Sequence, residues 1–104
     1  MKWENLISES QFSELVKSEN VFAVFKHSTR CSISSMAKNR LERDWKLDFP
    51  IYYLDLLNFR SISNQIAAIS GVEHASPQLI VFQNGKVIYH ESHNAITISD
   101  IKVA

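Results

Sequence analysis

The sequence predicts an α/β fold: a central mixed β-sheet with helices on both faces and a C-terminal β-hairpin. Three observations predict it. The apolar runs Val21-Phe22-Ala23-Val24-Phe25 and Ile51-Tyr52-Tyr53-Leu54-Asp55-Leu56-Leu57 read as strands covered on both faces. Stripes of apolar residues at helical spacing lie between such runs. Asn84-Gly85 separates Leu79-Ile80-Val81-Phe82 from Val87-Ile88-Tyr89, and that pair suits a type I′ turn because both of its positions need positive φ. Strands separated by helices are expected to run parallel, whereas two joined by a tight turn must be antiparallel.

The elements follow in order. A weak first strand is expected within residues 3–7. Ser8-Glu9-Ser10-Gln11 has capping-box spacing, and Ile7 is placed to staple onto Phe12. Phe12, Leu15 and Val16 then form the stripe of a short first helix. After the strand at residues 21–25, Ile33, Ala37, Leu41 and Trp45 recur every four positions, with Met36 beside them. That stripe predicts a helix over residues 35–45 with one buried face, Lys38, Arg40 and Arg43 mostly pointing outward. Pro50 ends the connection to the second buried strand. Ile62, Ile66 and Ile69 predict a third helix, with Gly71 just past its end. The tail begins with a cap candidate at Thr97 and has room for about two helical turns, so it needs docking to be ordered.

At 104 residues the chain is expected to be one domain, residues 1–104. Eleven Lys plus Arg balance eleven Asp plus Glu, so no overall field attracts nucleic acid or an acidic membrane. No apolar run approaches the roughly 18 residues of a membrane span, and the first residues lack the apolar core of a secretory signal. One unpaired cysteine excludes an internal disulfide framework and fits a reducing interior. The expected setting is cytoplasmic, with neither nucleic acid nor membrane as partner.

Cys31 carries the chemistry. A free cysteine is most often a small buried hydrophobe, but this one stands among Ser28, Thr29, Arg30, Ser32 and Ser34, where a buried strand hands over to a helix. Free backbone N–H groups and the positive end of the helix dipole then point at the sulfur. Both favour the thiolate, the reactive form. Lys26, His27 and Arg30 are expected to add positive charge nearby. Ser34 stands where a Cys-x-x-Cys pair would have its second thiol, so any exchange is monothiol and an external thiol must finish it. Ser34 equally suits a helix start that needs its N–H groups satisfied.

Other polar residues are weaker candidates. Pro77 opens the strand that begins near Gln78, a natural place for a residue without an N–H. His27, His74, His90 and His93 form no metal-ligand pattern, so no metal site is expected and these read as surface or hydrogen-bonding histidines. Asp55 reads as a strand-end polar group rather than a catalytic acid.

The element order, the cysteine at a strand-to-helix junction and the proline opening a later strand together look like a thioredoxin-like fold. At residue level the chain resembles the YtxJ-like monothiol bacilliredoxins nearly end to end. The resemblance is carried by Lys26-His27-Ser28-Thr29-x-Cys31-x-Ile33-Ser34, His74-x-Ser76-Pro77-Gln78, Gln83-Asn84-Gly85 and His90-x-Ser92-His93-x-x-Ile96-Thr97. It implies a thiol-disulfide oxidoreductase that removes bacillithiol, or a similar low-molecular-weight thiol, from S-thiolated client proteins through Cys31. The small thiol would be a co-substrate, with no bound cofactor. The resemblance also implies a cis Pro77, Ser76 backbone pairing beside the bound disulfide, and Thr29 and Ser34 lining the site and assisting the thiolate. The chain departs from the family at Ser32, where proline usually follows the cysteine; Ser32 restores an N–H and adds a hydroxyl near the sulfur. Two other functions compete with exchange. One is a binding module that keeps the cleft without the chemistry. The other is an interaction protein whose lone cysteine pairs between chains.

Overall fold

Two apolar layers lie on opposite faces of one five-stranded sheet. The computed structural model describes residues 1–103. Its elements are β1 (Trp3–Asn5), α1 (Glu9–Lys17), β2 (Val21–His27), α2 (Ser32–Asp44), β3 (Ile51–Asp55), α3 (Arg60–Ser70), β4 (Gln78–Gln83) and β5 (Lys86–Ser92), followed by 3-10 turns at His93–Ala95 and Ile98–Asp100. The strand order is β1-β3-β2-β4-β5. β3 runs parallel to both β1 and β2, while β4 runs antiparallel to β2 and β5. The expected mixed sheet and terminal hairpin are both present, but β4, which a helix separates from β3 and which is therefore expected to run parallel, instead enters the sheet antiparallel to β2.

Alternation along the central strands sorts side chains between the layers. Phe22, Val24, Ile80 and Phe82 pack with Phe12 of α1 and with Ile62 and Ile66 of α3. Ala23, Phe25, Leu79 and Val81 pack with Ala37 and Leu41 of α2. The tail is ordered by docking onto this second layer, where Ile96 and Ile101 are buried. β2 runs two residues beyond its apolar run, and both extra residues, Lys26 and His27, are buried. By the same alternation Lys26 faces α3 and His27 faces α2.

Local sequence signals set the ends of the elements. Ser8 caps α1 by accepting the Gln11 N–H at 3.1 Å. The Gln11 side chain returns to the Ile7 N–H at 2.9 Å rather than to that of Ser8, a variant of the expected box. Gly71 ends α3 at φ 73°, donating its N–H to the Ala67 carbonyl at 3.0 Å. Asn84 and Gly85 take φ of 53° and 76°, as the hairpin turn requires.

Four apolar residues lie elsewhere than their local patterns predict. Ile7 is exposed and does not cover Phe12, because the bonds of Gln11 to Ile7 and Asn5 direct the entering chain instead. Ile33 and Met36 are 50% and 63% exposed. α2 starts at Ser32, and its inward stripe is Ser34, Ala37 and Leu41. In its first turn the inward position faces His27, a polar group, so a serine occupies it and the isoleucine turns outward. α3 repeats the pattern: Ser63 is buried with Ile62 and Ile66, opposite Lys26, while Ile69 is exposed.

Candidate functional site

The C-terminal end of β2 organises the site. Lys26 pairs with Gln78, the first residue of β4, and His27 pairs with Asp55, the last of β3. Three connections therefore gather at one end of the central strands: residues 28–31 after β2, residues 56–59 after β3, and residues 71–77 before β4.

Cys31 sits on the first of these. Its N–H closes a turn onto the Ser28 carbonyl at 3.1 Å, and its own carbonyl accepts the Ser35 N–H at 3.1 Å. It is the N-cap residue of α2, with φ −111° and ψ 121°, and its side chain makes no capping bond. The sulfur thus belongs to the residue at the positive end of the helix, and it is half-buried. Ser32, Thr29 and Arg30 are exposed. Thr29 and Arg30 join Leu57 and Asn58 around an open pocket of about 300 Å³.

Ser76 and Pro77 lie on the third connection, and the bond between them is cis. Pro77 is buried and its carbonyl accepts the His93 N–H at 3.0 Å. The His93 carbonyl in turn accepts from the Arg40 guanidinium at 3.2 Å, which links this connection to α2. Ser76 is half-buried, and its buried hydroxyl has no hydrogen-bond partner among the described residues.

Ser34 is fully buried. Its hydroxyl accepts the Ser28 N–H at 3.1 Å and lies 2.7 Å from His27 Nδ1. It therefore clasps the strand end, the Cys31 connection and the first turn of α2. Of the six residues expected in the site, Thr29, Cys31, Ser32 and Ser34 share one connection and helix start. Ser76 and Pro77 reach the same end of the central strands from another.

Charge is distributed differently from expectation. His27 is buried, and burial with the nearby Lys38 charge holds its pKa below the ordinary value, against a smaller opposing pull from Asp55. Lys26 is buried in the other layer, where burial lowers its pKa to about 8. Its Nζ donates to the Ser63 carbonyl at 3.2 Å and lies 3.3 Å from His74 Nδ1, which Ser63 Oγ also approaches at 3.1 Å. Burial, Lys26 and Arg60 hold the His74 pKa low. Reading Lys26, His27 and His74 one by one missed this arrangement. The available signal was that Lys26 and His27 extend a buried strand, each facing a serine at an inward helix position.

No helix among the described residues is long and apolar enough to cross a membrane. A thioredoxin-fold protein proposed to be an oxidoreductase superposes with TM-score 0.80 at 32% identity, over 93% of this chain and 88% of that one. Thioredoxin of Malassezia sympodialis gives TM-score 0.69 at 21% identity, covering 89% and 82% of the two chains. Schistosoma mansoni thioredoxin gives 0.68 at 18%, covering 90% and 85%. At these identities the two thioredoxins show the fold alone.

Fold and cysteine together define the class: this is a monothiol redox protein on a thioredoxin fold. The pattern of the monothiol bacilliredoxin BrxC family matches residues 4–101, and the chain belongs to that family.

Proposed function

We propose that the chain, acting as one domain in the reducing cytoplasm, removes bacillithiol or a similar small thiol from S-thiolated client proteins. The observation that carries this reading is Cys31 at the start of α2 with its side chain uncommitted to capping, directly after Thr29 and Arg30, which line an open pocket.

In the first step the Cys31 thiolate attacks the small-thiol sulfur of a client–S–S–thiol adduct. A new disulfide forms between Cys31 and the small thiol, the old one breaks, and the client sulfur leaves as a thiolate that takes a proton from water. In the second step an external small thiol, as its thiolate, attacks the capped Cys31. It departs as a symmetric disulfide and leaves the Cys31 thiolate behind. The single cysteine makes that external thiol necessary. Thr29 and Ser32 are proposed to meet the bound adduct at the helix start, and the Ser76 backbone to pair alongside it next to Pro77. Ser34 is proposed to serve the thiolate indirectly, by fixing the connection that carries it.

The test is intact-mass analysis after mixing reduced protein with a bacillithiol-capped test protein, with Cys31→Ser as control. A mass gain of one bacillithiol on the wild type, release of the test thiol and no transfer to the variant are expected. No transfer to a folded protein would sink the bacillithiol reading. Glutathione and coenzyme A caps then separate a different small thiol from a binding module.

A further inference from the structure

The exchange chemistry leaves Lys26 unused, although it is a fully buried amine in the central strand of the sheet. Among the described residues its amine meets a helix carbonyl and an imidazole, neither of which is an acid. A buried amine without a carboxylate is costly, and an apolar residue of similar shape would serve packing better. What the amine does instead is geometric. Lys26 Nζ and Ser63 Oγ converge on one atom, Nδ1 of His74, at 3.3 and 3.1 Å. An ammonium has no lone pair, so Nδ1 is the acceptor and the ring proton lies on Nε2.

His74 itself is exposed, and it stands on the connection between α3 and Ser76. That connection has a second tie. Gln78, paired with Lys26 across the two strands, donates its Nε2 to the Glu73 carbonyl at 3.0 Å. Neighbouring residues on β2 and β4 thus hold neighbouring residues of the connection. Lys26 lies five positions before Cys31 on the strand that leads to it.

Resting on the proposed exchange at Cys31, we infer that Lys26 is a positioning residue. By holding His74 it sets the connection that carries Ser76 and Pro77 against the strand that delivers Cys31, and so shapes the place where the mixed disulfide docks. Lys26 faces α3, whereas the bonds that fix the Cys31 connection, between Ser34, His27 and Ser28, belong to the α2 layer. Loss of Lys26 therefore acts on docking and not on the thiol.

The test compares wild type, Lys26→Met, His74→Leu and His74→Gln in steady-state removal of bacillithiol from a capped test protein, alongside alkylation of Cys31 by iodoacetamide. Lys26→Met leaves no buried charge behind and keeps the volume. It is expected to raise KM about tenfold with kcat within about twofold, the pattern of lost binding rather than lost chemistry. The alkylation rate is expected to stay unchanged. His74→Leu reproduces the defect, and His74→Gln, which keeps an acceptor for Lys26, restores most of the affinity. Nitrogen NMR of the wild-type His74 ring is expected to show protonation at Nε2 and an accepting Nδ1. An active wild type with unchanged KM in Lys26→Met, or a ring protonated at Nδ1, overturns the positioning role alone. A wild type that transfers no thiol overturns the exchange reading, and the positioning role with it.

Discussion

Ser34 Oγ lies 2.7 Å from His27 Nδ1 and, on its other side, accepts the Ser28 N–H at 3.1 Å. The hydroxyl at the position of a dithiol's second sulfur is thereby a buried clasp. It joins the last residue of β2 to the first turn of α2, and the connection it spans carries Cys31.

Removing that clasp should be costly. Ser34→Ala leaves the Ser28 N–H without this acceptor and the buried His27 Nδ1 without its partner. The expected loss is about 2–3 kcal/mol of folding stability, from unsatisfied buried groups rather than lost apolar contact. Urea denaturation checks it. A midpoint shift worth under about 0.5 kcal/mol, the size of an ordinary surface change, would show that the clasp carries no load.

Acid should weaken the fold through His27. Its folded pKa lies below the ordinary 6.5, chiefly through burial. Below that value the unfolded chain binds a proton that the folded chain resists, so stability is complete above about pH 6.5 and falls as pH drops beneath it. His74 shifts in the same direction. Denaturation at about pH 7 and about pH 5 should show a loss that is smaller in His27→Gln. An equal loss in that variant would place the proton uptake elsewhere.

Alkali should do the reverse through Lys26. Its pKa falls from 10.5 to about 8 on folding, so between these values the unfolded chain holds the extra proton and stability rises with pH. The span amounts to an order of 3 kcal/mol. Lys26→Met should flatten this rise and be at least as stable as wild type near neutrality, since it removes a buried charge without a carboxylate. A stability–pH curve that keeps its slope in the variant would show that Lys26 is not the group responsible.

The two faces of α2 should respond oppositely. Leu41→Ala opens a hole in the second apolar layer and is expected to cost about 2–5 kcal/mol. Ile33→Ser, on the exposed side two residues after Cys31, should change stability by less than about 0.5 kcal/mol. Paired thermal melts decide it. A large loss at Ile33 would return that residue to the core.

The strands, the hairpin and the helix ends were legible because their signals are local. Alternation, glycine at positive φ and a capping serine act within a few residues, so Asn84, Gly85, Gly71 and Ser8 announced themselves. The position of Cys31 was legible for the same reason, since a strand end followed by a helix start is a short-range pattern. The facing of α2 was not. Counting apolar residues put Ile33 inward, because the count cannot know that the group opposite the first turn is the imidazole of His27.

By itself, then, the sequence determined the order of elements, the parallel run of β1, β2 and β3, the antiparallel hairpin of β4 and β5, and a lone thiol at a helix start. Only the tertiary structure decided which polar groups meet. Ser34 reaches His27 across seven residues, Lys26 reaches Ser63 across 37, and Lys26 reaches His74 across 48. Such pairs leave no periodic trace, because burying a hydroxyl or an amine is favourable only when its partner is already in place, and that partner arrives from another element when the sheet closes.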